Sequence, residues 1–270
     1  MTSRLYRDRG IVLRTYKAGE SDRIIVFLTE QNGKVRAIAK GVRKTRSKFG
    51  GRLEPLSMLE IQLHRGRDLD VVNQVETIDS THGVFGDLDS MTEAIAVLEA
   101  VDQLVPDREP VPHMYRMLVG VRRTLLTRPS PLVVPAFLWK LLASEGVHPV
   151  LDRCSVCGEV PEGDKDFSTF DLHHGGVTCT TCRTGMSISR PALDLMRDVL
   201  GGRLGDALDR AHHPGGQTLD DPVVNEVALL ATKAFEHHVE RRLRSVSIFE
   251  RHDPGSVSYT HLTLPTICSV

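Results

Sequence analysis

The spacing of apolar residues divides the chain into a strand-rich first part and a helix-rich remainder. Up to about residue 80, short apolar segments alternate with turn signals such as Gln31, Asn32 and Gly33. These segments predict five strands, at residues 9–16, 23–28, 34–39, 56–63 and 69–78. Five strands without a long helix predict a small barrel or a single antiparallel sheet, and an OB-fold barrel has this strand count.

After residue 80 the apolar positions recur with a period near 3.6, which is typical of amphipathic helices. Ser90 and Glu93 have the spacing of a capping box and predict the start of a helix that runs to Val105. Further helices are predicted at residues 113–126, 132–146, 191–200 and 222–244. The expected fold class is α+β and multidomain, with an N-terminal OB-fold β-barrel followed by an α-helical bundle.

Four of the five cysteines form two C-x-x-C pairs with 21 residues between them: Cys154 with Cys157, and Cys179 with Cys182. Four thiolates complete a tetrahedral zinc shell and leave no open position for water. The pattern predicts one structural Zn²⁺ per chain in a zinc ribbon inserted into the bundle, with short strands at residues 167–171 and 175–178. A redox dithiol, an iron–sulfur cluster and a site without metal are the alternatives.

Glycines and histidines near the cysteine pairs complete the prediction for this insert. Gly158 and Gly185 are expected to follow the two cysteine turns. His173 and His174 lie between the cysteine pairs, and we expect them on the surface of the hairpin turn because the four thiolates already satisfy the metal.

The net charge of −1 over 270 residues conceals an uneven distribution of charge. Residues 1–80 hold 16 Lys and Arg against 10 Asp and Glu, a net charge of +6. The rest of the chain holds 18 against 25, a net charge of −7. A near-neutral total argues against a nucleic-acid binder only if the charge is evenly spread, so the asymmetry indicates that the first part meets a polyanion.

Residues 40–52 (KGVRKTRSKFGGR), here called the basic segment, contain no carboxylate and six cations: Lys40, Arg43, Lys44, Arg46, Lys48 and Arg52. Three glycines and few apolar residues predict a mobile loop between two strands that follows a phosphate backbone. A solvated loop without a ligand is the alternative. Residues 1–80 hold only four aromatic residues, Tyr6, Tyr16, Phe27 and Phe49, so we expect binding to be mainly electrostatic and indifferent to sequence.

The chain shows none of the P-loop, dinucleotide-binding, zinc-protease or nucleophile-elbow motifs. Asp68 with Asp70, and Asp87 with Asp89, have the short spacing that a Mg²⁺-dependent nuclease uses. The first pair lies at the start of a strand beside arginines, and the second precedes a helix, where carboxylates favour the helix dipole. These positions explain both pairs without a catalytic role. We therefore expect no catalytic residue and no enzyme.

The location of the protein is predicted from two further features. No apolar run is long enough to span a membrane, and the N-terminus lacks the apolar core of a secretory signal. We expect a cytoplasmic, nucleoid-associated protein with no membrane partner.

Three stretches resemble a known family: residues 19–55 (GESDRIIVFLTEQNGKVRAIAKGVRKTRSKFGGRLEP), 138–158 (LWKLLASEGVHPVLDRCSVCG) and 237–246 (HHVERRLRSV). They resemble the bacterial DNA repair and recombination mediator family RecO, of the actinobacterial type, over about residues 4–250. The resemblance implies an OB-fold at 1–80, a helical domain in two parts at 81–150 and 188–252, and a zinc-binding insert at 151–187. Residues 253–270 follow no family pattern and are expected to be disordered or foreign to the gene.

The resemblance also implies a function. Such proteins bind single- and double-stranded DNA, anneal complementary strands and, with RecR, help RecA replace single-strand binding protein, whose C-terminal tail meets the helical domain. The family's DNA contacts lie on the basic face of the barrel, which here implies the six cations of the basic segment together with Arg14, Arg23, Lys34 and Arg36. From the residues alone, two other functions stay open: a zinc-ribbon adaptor whose basic barrel binds RNA or protein, and a metal-dependent nuclease.

Overall fold

The computed structural model of the protein describes residues 4–49, 51–79, 88–160, 167–211 and 222–245, and its first part is a closed five-stranded barrel. The strands are β1 (Leu5–Ala18), β2 (Asp22–Thr29), β3 (Gly33–Ala39), β4 (Met58–His64) and β5 (Asp70–Asp79). Their order around the barrel is β1-β2-β3-β5-β4. Only β3 and β5 are parallel; the other neighbours are antiparallel. The predicted OB-type barrel is confirmed.

Strict alternation along β2 and β3 separates the two faces of the barrel wall. Ile25 and Phe27 of β2, and Val35 and Ala37 of β3, are buried in the barrel interior. The residues between them point outwards, where Val26 and Leu28 pack under the helices. Alternate residues of each strand therefore face a filled interior and a partly covered exterior, and β2 is apolar on both faces.

The second part of the chain is helical, as predicted, and contains a small inserted sheet. The helices are α1 (Leu88–Leu104), α2 (Pro112–Thr127), α3 (Val133–Ser144), α4 (Arg190–Leu200), α5 (Leu204–Ala211) and α6 (Pro222–Val239). The inserted sheet contains β6 (Thr169–Asp171), β7 (Gly176–Thr178) and β8 (Met186–Ser187) in the order β7-β6-β8.

Three helix predictions need correction. Helix α1 already includes Leu88 and Asp89, so Ser90 lies inside the helix rather than capping it. Helix α5 was not predicted, because it is only 8 residues long and follows two glycines. Helix α6 ends at Val239 rather than 244, since Glu240 takes a left-handed backbone with φ of 53° and stops the helical ladder.

One apolar core joins the helices, the inserted sheet and the outside of the barrel. Trp139 of α3 meets Phe170 of β6 edge to face, with 5.7 Å between the ring centroids. On the barrel side, Leu56 enters the same core, and its carbonyl oxygen accepts a hydrogen bond of 2.9 Å from Nε of the buried Arg122. The barrel and the inserted sheet are thus both packed on the bundle. Among the described residues no helix is long and apolar enough to cross a membrane.

Candidate nucleic-acid interface and metal centre

The basic segment closes one end of the barrel and presents its charges to solvent. Its six cations are all exposed in the structure: Lys40, Arg43, Lys44, Arg46, Lys48 and Arg52. Within the described part of the chain, none of them forms an ion pair with a carboxylate. This surface therefore holds a concentration of positive charge, with Asp22 as an acid close enough to Lys40 and Lys44 to interact with them without forming an ion pair.

The few apolar residues predicted for this segment are enough to anchor it, together with one that follows it directly. Val42, Phe49 and Leu53 are buried, and they pack with the interior residues of the barrel. Their side chains plug the open end of the barrel while the cations between them point outwards. The segment is consequently held in a defined place by the same core that stabilises the barrel, with its charges on the surface.

Hydrogen bonds fix both sides of the plug to the strands. On one side, the backbone N–H of Arg43 donates to Ser21 O at 2.9 Å, and Gly41 N donates to Asp22 Oδ1 at 2.7 Å. That bond, together with the Ser21 hydroxyl, lowers the pKa of Asp22. On the other side, Lys48 Nζ donates to the carbonyl of Asn73 on β5 at 2.8 Å. The cations thus spread from the β1–β2 turn to β5.

The four other predicted cations have carboxylate partners. Arg14 pairs with Asp102 at 2.9 Å, Arg23 with Glu54 at 3.1 Å, and Arg36 with Asp107 at 3.2 Å. Lys34 is buried, and its Nζ donates to Asp102 O at 2.7 Å. Because burial keeps the Lys34 ammonium from solvent, its role here is to join the barrel to α1.

The two C-x-x-C turns predicted from the sequence lie next to each other in the structure. The sulfur atoms of Cys154, Cys157, Cys179 and Cys182 all lie within 4.8 Å of one another. Cys157 Sγ and Cys179 Sγ are 3.8 Å apart. A tetrahedron with Zn–S bonds of about 2.3 Å has an edge of about 3.8 Å, so this separation fits a single zinc ion.

Without a metal, the thiols of the cluster differ in how readily they ionise. Burial opposes ionisation of Cys154, but backbone N–H groups outweigh it and lower the pKa of Cys154 to about 6. Hydrogen bonds with the neighbouring thiols raise the pKa of Cys182 to about 12. Thiols this close cannot all ionise unaided, whereas a coordinated divalent ion deprotonates its thiol ligands. Together the donor set and its spacing match a four-thiolate zinc site.

The backbone after each cysteine turn explains how the turns keep their shape. Gly158 has a φ of 77° after the first turn, as predicted. After the second turn the equivalent residue is Arg183, with a φ of 39°, and not Gly185. Two features require glycine at Gly185: its backbone has a φ of 95°, and a Cβ there would lie 2.1 Å from Phe170 O. Its left-handed backbone and the close approach of the strands both select this glycine.

The two histidines between the cysteine pairs are exposed and stay outside the sulfur cluster. Their backbone N–H groups donate to Asp171 Oδ1 at 2.8 Å from His173 and 3.0 Å from His174. Burial alone would raise the pKa of Asp171, but these and other hydrogen bonds lower it to about 2. Asp171 therefore acts as an ionised anchor for the β6–β7 turn.

Two models of one protein family match most of the chain. A family model described as Recombination protein O N terminal matches residues 1–81, and one described as Recombination protein O C terminal matches residues 86–247. The chain belongs to the RecO family of recombination proteins. This confirms the resemblance drawn from the sequence, and RecO proteins act as mediators of DNA recombination and repair. Residues 248–270 lie outside both family models, and the predicted foreign tail lies outside the described residues.

In the first acidic pair of this RecO chain, Asp70 has a structural role and Asp68 is exposed. Asp70 is fully buried and accepts hydrogen bonds from Tyr6 Oη, from Arg108 Nη2 at 2.8 Å and from Gly66 N at 3.0 Å. Burial would raise the pKa of Asp70, but these donors lower it. In the second pair, Asp89 lies in the first turn of α1 and Asp87 lies outside the described residues.

Sequence reasoning missed the plug that positions the basic face of this RecO barrel. A signal for it was present: Val42, Phe49 and Leu53 are apolar residues within or beside a run of cations. Apolar residues that recur in an otherwise charged loop indicate an attachment to a core.

Proposed function

We propose that this RecO protein is a non-enzymatic mediator in DNA repair that binds single- and double-stranded DNA and anneals complementary strands. The observation that carries the proposal is the set of six exposed cations, none in an ion pair among the described residues, held on the plugged end of the barrel. Each phosphate that such a cation neutralises releases condensed counterions, which favours binding to any nucleic acid. Cations that contact two strands at once also lower the repulsion between their backbones, which favours annealing.

The cations differ in how readily they can contact DNA phosphates. The six cations of the basic segment carry the binding, and Arg14, Arg23 and Arg36 add contacts if phosphate replaces their carboxylate partners. Such an exchange costs little for Arg23, because an exposed pair with Glu54 contributes little to stability. Lys34 is left out, because its ammonium is buried.

We expect the rest of the chain to stabilise the fold and to bind partner proteins. Cys154, Cys157, Cys179 and Cys182 would hold one Zn²⁺, whose chemistry here is structural because four thiolates leave no position for water. The partners proposed from family membership are RecR, the C-terminal tail of single-strand binding protein, and RecA indirectly. The protein would act in the cytoplasm, where it meets the chromosome.

The test is annealing of complementary oligonucleotides coated with single-strand binding protein. The variant Lys44→Glu/Arg46→Glu reverses two exposed charges of the basic segment and is expected to lose annealing while keeping its fold. The matched control is Arg116→Glu/Arg123→Glu, which reverses two exposed charges on α2 and is expected to anneal like the parent. Parent-like annealing by the Lys44/Arg46 variant would overturn the proposal.

A second experiment tests the mediator role. RecA assembly on coated DNA, followed with and without RecR, is expected to accelerate only when RecR and the parent protein are both present. Acceleration that is independent of RecR, or none at all, would contradict this part of the proposal while leaving the annealing result to stand.

A further inference from the structure

An apolar stripe is left open on helix α1. Leu88, Met91 and Ile95 are spaced by three and four residues, so they lie on one side of the helix. The stripe continues at intervals of four residues with two polar side chains, Glu99 and Gln103. Leu88 is 65% exposed, Met91 38% and Ile95 37%, whereas the opposite side of α1 is buried in the core. We call these three apolar residues the α1 stripe.

The end of the described chain runs along the polar continuation of this stripe. After α6, the carbonyl oxygen of Arg242 accepts a hydrogen bond of 3.4 Å from Gln103 Nε2. The backbone N–H groups of Arg244 and Ser245 then donate to the Glu99 carboxylate at 3.0 and 2.9 Å. The hydroxyl of the buried Ser245 also donates to Glu99, at 2.6 Å. The chain thus runs towards the N-terminus of α1, and the α1 stripe lies directly ahead of it.

The next four residues have the length and the chemistry to cover the α1 stripe. Residues 246–249 (VSIF), here called the end segment, contain three apolar residues and lie outside the described part of the chain. Met91 lies eight residues from Glu99, which is about 12 Å along a helix that rises about 1.5 Å per residue. Four extended residues span about 13 Å. The end segment can therefore reach Met91 from the anchor of Ser245 on Glu99.

We infer that the end segment docks on the α1 stripe and clamps the chain after α6 to α1. The stripe is too small for a second folded protein, because three partly exposed side chains offer far less than the area of about 800 Å² that each partner buries in a stable interface. The end segment instead starts directly at its anchor, and so short a tether keeps its effective concentration in the millimolar range. No nucleic acid takes part in this contact, so the inference is independent of the proposed function.

The clamp acts on the helix that fastens the barrel to the bundle. Asp102 of α1, three residues after Glu99, pairs with Arg14 of β1 at 2.9 Å. The backbone carbonyl of Asp102 accepts a hydrogen bond of 2.7 Å from Lys34 Nζ on β3. One end of α1 thus holds the barrel, and the end segment covers the other end.

Photo-crosslinking of the full chain tests the docking directly. Phe249 is replaced by p-benzoylphenylalanine, whose ketone inserts into nearby C–H bonds and reacts readily with methionine. Irradiation is expected to join position 249 to α1 between Leu88 and Ile95 of the same chain, as identified by mass spectrometry. A crosslink between two chains, a crosslink to another part of the chain, or no crosslink would overturn the inference.

Urea unfolding tests the docking without the photoreactive group. Ile248→Ala/Phe249→Ala is expected to lower the urea midpoint, because it removes one side of the apolar contact. Met91→Ala/Ile95→Ala removes the other side, so the combined variant should lose less than the sum of the two losses. The control Leu229→Ala truncates an exposed residue of α6 outside the stripe, and its effect should add to that of the end-segment variant. Additive losses for the two sides of the contact, or a parent-like midpoint for Ile248→Ala/Phe249→Ala, would show that the end segment does not dock there.

Discussion

Loss of the proposed zinc ion should disturb a tryptophan in the helical bundle. Replacement of Cys154 by serine removes one of four thiolates from a cluster whose sulfur atoms lie within 4.8 Å of one another. Three remaining thiolates hold zinc less tightly, so the inserted sheet loses the ion that closes its two turns. Phe170 of that sheet contacts Trp139, the single tryptophan of the chain.

The structure also sets the size of the effect. Phe170 is 1% exposed, and truncation of a fully buried phenylalanine to alanine costs about 3 to 5 kcal/mol. Release of the sheet frees Phe170 together with Phe167 and Val177, which belong to the same core. The loss of unfolding free energy in Cys154→Ser should therefore be at least as large as that in Phe170→Ala.

The assay combines zinc content by mass spectrometry, Trp139 fluorescence and urea unfolding. Cys154→Ser is expected to carry far less than one zinc per chain, with Trp139 emission shifted to longer wavelength. The control Cys268→Ser changes the fifth cysteine, which belongs to neither C-x-x-C pair, and is expected to keep its zinc. A parent with no zinc would refute the metal assignment. A zinc-free variant with parent-like Trp139 emission and stability would refute the coupling of the sheet to the bundle.

Two further predictions concern the same sheet. Gly185→Ala should lower both stability and zinc content, because its Cβ would lie 2.1 Å from Phe170 O, whereas Gly158→Ala meets open space and should cost only about 1 to 2 kcal/mol for its left-handed backbone. Equal losses in thermal unfolding would contradict this. Asp171→Asn should cost about 2 kcal/mol at pH 7, since the pKa of Asp171 is held at about 2, below the ordinary value near 4. That contribution is complete above the unfolded pKa and disappears as the pH falls towards 2, so urea unfolding should show the two proteins converging there; a constant difference would argue against an ionised anchor.

The barrel and the sulfur cluster could be predicted because their signals are local. Alternating apolar residues such as Ile25 and Phe27 determine which face of a strand is buried, and the C-x-x-C spacing determines which thiols can share an ion. Neither property depends on a residue far away in the chain.

Which cations remain exposed could not be predicted from the sequence, because their burial and pairing depend on residues far away in the chain. Lys34 and Lys40 look alike in sequence, yet one is buried against Asp102, 68 residues away, and the other is exposed. The burial of Phe49 likewise depends on the open end of the barrel, which forms only when the strands close. Local patterns identify a basic region, and the tertiary fold decides which of its charges remain available.

The salt dependence of single-strand binding tests the central claim most directly. The variant Lys44→Gln/Arg46→Gln removes two positive charges without adding negative ones. If the basic segment neutralises phosphates, the slope of log affinity against log salt should become less negative by about 1.4 on single strands and about 1.8 on duplex. Slopes equal to those of the parent on both substrates would contradict the account.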